Sequence, residues 1–151
     1  MLRDYVTRLY HPAQKQRRRL EANGADLSRQ LAHWKQRVRQ AWPGVSMQLM
    51  IQPPAHLYHD DKILLKVRAN LHGLAATDIK LQCLFGRAVA EGDIDVAQVA
   101  ELVAIGVEGD WTEFQIELSP EIAGLQYYKL RMYPFHDAMS HPFELGCMIW
   151  A

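Results

Sequence analysis

Much of what usually announces a function is missing from this chain of 151 residues. Its two cysteines, Cys83 and Cys147, are too few for a disulfide scaffold and are expected as free, buried thiols. No apolar run reaches the roughly 18 residues that a membrane-spanning helix needs. The nine glycines never fall into G-x-G-x-x-G or G-x-x-x-x-G-K-[ST], so neither a dinucleotide fingerprint nor a P-loop is present. There is no Asn-x-Ser/Thr sequon. Asp4 interrupts the N-terminus before any continuous apolar stretch can form, so no signal peptide is read there. Internal repeats and low-complexity segments are also lacking. These absences point to a cytoplasmic protein with no membrane segment.

What is present suits a single packed domain. Hydrophobic residues make up 49% of the chain and charged residues 23%, an ordinary globular balance, and a chain of this size buries roughly 70% of its unfolded surface. The net charge of zero hides a division. Residues 1–43 hold ten Lys/Arg against three Asp/Glu, whereas residues 44–151 hold seven against fourteen. The Lys15-Gln-Arg-Arg-Arg19 cluster suggests nucleic acid, but it belongs to no recognised binding motif and has no interleaved aromatics for stacking. The reading favoured is a basic helical segment set against an acidic protein surface, with no nucleic-acid partner.

The hydrophobic period divides the chain at the same place. Over residues 1–43 it is helical: Leu2, Tyr5, Val6 and Leu9 form a stripe ended by Pro12, and Asn23-Gly24 marks a break. With Asp26 as N-cap, Leu27, Leu31, Trp34, Val38 and Trp42 then recur on one face of a second helix, which Pro43-Gly44 stops. Such a face must pack against something larger. From residue 44 to 151 the period is two. Strands are expected at Val45–Ile51, Ile63–Leu71, Ile79–Phe85, around Val99–Val107, at Thr112–Leu118, Tyr128–Met132 and Leu145–Trp150. About seven strands with polar outer faces and frequent turns predict a mainly β fold, an immunoglobulin-like antiparallel sandwich preceded by two α-helices. Tyr128 occupies the place of a tyrosine corner.

Few residue groups could carry chemistry. His56-Leu-Tyr-His59-Asp60-Asp61 offers His56, His59 and Asp61 as metal ligands. Their spacing in a strand connection does not place two imidazoles on one helix face, so a solvated loop is the favoured reading and no metal is expected. Ser28, Ser46, Ser119 and Ser140 lie in no nucleophile elbow, and Cys83 falls at an inward strand position where a thiol is inert. The carboxylate pairs Asp60/Asp61 and Asp93/Asp95 read as solvated turns. Trp111, Tyr127 and Tyr133 face outward by strand parity and are the candidates for stacking on a sugar ring, with packing against another surface as the plainer alternative.

Three stretches carry a resemblance. They are Met1-Leu-Arg-Asp-Tyr-Val-Thr-Arg-Leu-Tyr-His-Pro-Ala13, then Leu31-Ala-His-Trp-Lys-Gln-Arg-Val-Arg-Gln-Ala-Trp-Pro-Gly-Val45, and finally Tyr127-Tyr-Lys-Leu-Arg-Met-Tyr-Pro-Phe-His136 with His141-Pro-Phe-Glu-Leu-Gly-Cys-Met-Ile-Trp-Ala151. In this order they resemble the closing region of the bacterial α-glucan (glycogen/maltodextrin) phosphorylases. One departure is Phe135-His-Asp-Ala138, which stands where the family has a His-His-Pro excursion. The resemblance implies a parent enzyme that transfers glucosyl units from an α-1,4-glucan to orthophosphate, using pyridoxal phosphate on a lysine. No Gly-Thr-Ser-Gly-Met-Lys-like segment surrounds any lysine here. The expectation is therefore a C-terminal accessory piece with no catalytic residue and no cofactor of its own. The implied partner is the catalytic domain, with α-glucan as a second. The alternatives are a stand-alone carbohydrate-binding module, or an interaction module that forms a homo-oligomer through Leu27, Leu31, Trp34 and Val38.

Overall fold

A computed structural model describes residues 26–51, 62–90, 93–119 and 125–151. Helix α1 spans Asp26–Ala41, and a 3-10 turn over Trp42–Gly44 follows it. Among the described residues seven strands follow: β1 Ser46–Ile51, β2 Ile63–Asn70, β3 Ile79–Ala90, β4 Asp93–Glu108, β5 Trp111–Leu118, β6 Tyr127–Pro134 and β7 Ile149–Trp150. The helix expected within residues 1–25 lies outside the described residues, as do His56, His59 and Asp61.

All the strand pairs are antiparallel, and they join in one sheet ordered β1-β2-β5-β4-β3-β6-β7. The expected immunoglobulin-like sandwich would place β1-β2-β5-β4 and β3-β6-β7 in two separate sheets. One departure from the expected sandwich is that the two sets are continuous. Strand β4, sixteen residues long, pairs with β3 as far as Leu102 (opposite Leu81) and with β5 from Val103 (opposite Gln115) onward. A strand that changes partners midway turns the corner itself, helped by bulges in the register at Phe85/Gly86 and Ala104/Gly106. Gly86 is required there: a Cβ would stand 2.0 Å from the Asp95 carbonyl oxygen. Asp93 and Asp95, expected in a turn, instead begin β4.

Strand β2 shows how pattern becomes core. Ile63, Leu65, Val67 and Ala69 are buried, while Leu64, Lys66, Arg68 and Asn70 are partly or fully exposed, as the two-residue side-chain period demands. Leu81, Cys83, Phe114, Leu130 and Met132 meet them from the other strands. The stripe of α1 joins the same core. Leu31, Trp34 and Val38 are buried, and Leu27 and Trp42 pack partly against it. The helix face is thus satisfied within this chain and is not open as a seam between copies. At the far end, Ala151 exchanges both backbone hydrogen bonds with Leu130, at 2.7 and 3.0 Å. The closing strand is shorter than expected, because Leu145 ends a turn and residues 146–148 form no regular structure. Tyr128 lies at the start of β6 with its ring 6.1 Å from that of Phe85; the segment that a tyrosine corner would bond, residues 120–124, is outside the described residues.

Candidate functional site

The most connected polar group is Asp78, a buried carboxylate just before β3. Its Oδ1 accepts a hydrogen bond from Trp34 Nε1 at 2.7 Å. Its Oδ2 accepts from the Ala75 backbone N–H at 3.0 Å and from Arg37 at 3.1 Å. Its carbonyl accepts from the Phe135 N–H at 2.8 Å. One residue thereby ties α1, the turn before β3 and the end of β6. Around it the Trp34 ring packs on His136 at 5.0 Å, and Lys35 is paired with Glu144. These bonds tie the node into the fold and fix the helix on the sheet. Sequence reasoning passed over Asp78, although a lone acid immediately before a strand is the available signal.

The three outward aromatics are not brought together. Trp111 begins β5, in the half of the sheet away from β6, with the Arg68 guanidinium 4.7 Å from its ring centre. Tyr127 and Tyr133 lie at opposite ends of β6. Tyr127 is exposed, whereas Tyr133 is 4% exposed because the turn after β6 sets Phe143 edge-on to it at 5.0 Å. A buried ring has no face open to a sugar. On the same outer surface Arg131 hydrogen-bonds Gln82 at 2.8 Å and lies over Phe143, while Trp150, its cross-strand partner, is half exposed.

The lysines decide whether a pyridoxal phosphate site fits. Lys62, Lys66 and Lys80 pair with Glu117, Glu113 and Glu101 at 3.2, 2.8 and 2.7 Å. Lys35 pairs with Glu144, and Lys129 lies 4.0 Å from Asp93. A Schiff-base lysine works from a desolvated pocket with its amine unpaired; these five are surface partners of carboxylates, so the described residues do not fit that cofactor. Burial holds both thiols toward their protonated form. Burial pushes Cys83 up to about 12. Cys147, half-buried and not fully buried as expected, is also raised by burial, with Arg39 opposing.

A model of the glycogen phosphorylase C-terminal domain matches residues 42–151. The chain belongs to that family. Over its full length it is 29% identical to glycogen phosphorylases of Mycobacterium bovis and Mycobacterium tuberculosis. Over 99% of its length it is 25% identical to the maltodextrin phosphorylase of Thermococcus litoralis. The chain spans 18% of the length of these relatives. The phosphorylase C-terminal domain is thus a β fold whose polar contacts hold its own elements together, with no helix among the described residues long and apolar enough to cross a membrane.

Proposed function

We propose that this chain is the non-catalytic accessory domain of a cytoplasmic α-glucan phosphorylase, and that its work is to brace the catalytic domain. The family match over residues 42–151 carries this reading. The parent reaction is phosphorolysis of an α-1,4-glucan to glucose 1-phosphate, a glycosyl transfer that uses pyridoxal phosphate bound elsewhere in the polypeptide. The Asp78 node and the paired lysines support an accessory role, since their groups serve the fold.

Bracing has a measurable consequence. The cognate phosphorylase prepared without this region should lose activity faster on heating, and adding the chain should restore its lifetime. Equal lifetimes with and without the domain would contradict the reading. Glucan holding is a second role, supported by the exposed rings of Tyr127 and Trp150. Retardation of the chain in a glycogen-containing gel, abolished by Tyr127→Ala, would favour it; an unretarded band removes it.

A further inference from the structure

The second half of β4 is built against the rule that the rest of the sheet obeys. Val103, Ile105 and Val107 are 65%, 51% and 74% exposed, and Val99 earlier on the strand is 50% exposed. Val103 faces outward opposite Gln115, whereas Val107 lies opposite the buried Thr112. The bulge between Ala104 and Gly106 thus leaves apolar side chains exposed on both faces. The backbone is equally open. The pairing of β3 with β4 ends at Leu81 opposite Leu102, so from Val103 to Glu108 the only described strand paired with β4 is β5. A long, apolar, one-sided edge is an invitation to pair, and monomeric proteins normally blunt or cover it.

We infer that the Val103–Glu108 edge of β4 is the surface that docks on the catalytic portion of the phosphorylase polypeptide; the inference rests on the accessory-domain reading above. The occupant is argued from length and charge. Roughly four-fifths of the relatives' length is absent from this chain, which spans 18% of it. The edge is rimmed at one end by the exposed carboxylates of Glu108 and Asp110, with Glu101, already paired with Lys80, at the other; this acidic rim calls for a partner with basic groups around an apolar strand or ridge. A second copy of the chain fits worse. Antiparallel pairing of two Val103–Glu108 edges would set Asp110 of each copy opposite Glu101 of the other, and like charges across a strand pair oppose it. Residues 1–25 also fit worse, because the helical period of Leu2, Tyr5 and Leu9 supplies no strand to satisfy the open edge.

The test is hydrogen exchange on the full phosphorylase polypeptide and on this chain alone, with Val103→Glu/Val107→Glu made in both. Those amides of Ala104–Glu108 that point away from β5 should exchange at least tenfold more slowly in the full polypeptide, and the double variant should remove that protection. Its Cys83 should still resist a thiol reagent, which shows that the core is intact. Protection of these outward amides already present in the isolated chain overturns the inference: if concentration-dependent it assigns the edge to a second copy, and otherwise to residues 1–25. Protection of some other face in the full polypeptide overturns the docking surface but leaves the bracing role standing. If no part of the domain is protected, both fall.

Discussion

At the scale of single residues, Asp78 carries the most structural consequence. Replacing it with alanine strands the buried Trp34 indole N–H and the Ala75 N–H. The expected loss is about 2–3 kcal/mol of folding stability, the usual penalty for orphaned buried donors. Arg37→Ala should cost under about 1 kcal/mol, because that side chain is largely exposed and its ion pair is screened. Chemical denaturation of the two variants would check the contrast, and equal losses would mean that the ion pair and not the indole bond holds the helix. Glu144 offers a pH handle. Partial burial works against its charge, but the hydrogen bond and charge of Lys35, with backbone donors around Ser140, outweigh this and hold the carboxyl below its ordinary 4.5. A depressed folded-state value stabilises the protein above the ordinary range and loses that contribution as pH falls through the folded value. The stability difference between wild type and Glu144→Gln should therefore be present at neutral pH and fade on acidification below 4.5; thermal melts across pH would show it. None of this was legible in the sequence, because a carboxylate's worth depends on which donors the fold brings to it.

At the scale of elements, the sequence was informative wherever one face is wet and the other dry. The alternation of Ile63 to Asn70 and of Thr112 to Leu118 read directly as strands, and the spacing of Leu31, Trp34 and Val38 read as a helix face. It was uninformative where the period breaks. Strand β3 runs past the expected Phe85 to Ala90, because the bulge at Gly86 resets the alternation. Strand β4 begins at Asp93, earlier than its apolar stretch suggested, because its first half shows side chains to water on both faces. Tyr133 follows outward parity yet is covered, because a turn ten residues away folds Phe143 over it. Gly86→Ala tests the β3–β4 corner. A methyl group aimed at the Asp95 carbonyl must push the strands apart, so a loss of roughly 2 kcal/mol or more is expected, in the range of overpacking. A variant as stable as wild type would mean that the corner is not closely held.

At the scale of the whole molecule, fold class and family were both within reach of the sequence: strand count, the lead helix and the closing Trp150-Ala151 pointed to one architecture. Two things were not. The continuity of the sheet through β4 depends on a change of partner that no periodicity encodes, and the open Val103–Glu108 edge is recognised only once the β3–β4 pairing is seen to end at Leu102. A domain whose carboxylates pair with its own lysines and whose buried thiol is inert has the makeup of a support. The central claim is that this support supplies no catalytic group. The most direct measurement is glucose 1-phosphate release by the isolated chain, incubated with maltodextrin, orthophosphate and pyridoxal phosphate. No release above the protein-free control is predicted, and release that grows in proportion to the amount of chain added would contradict the account.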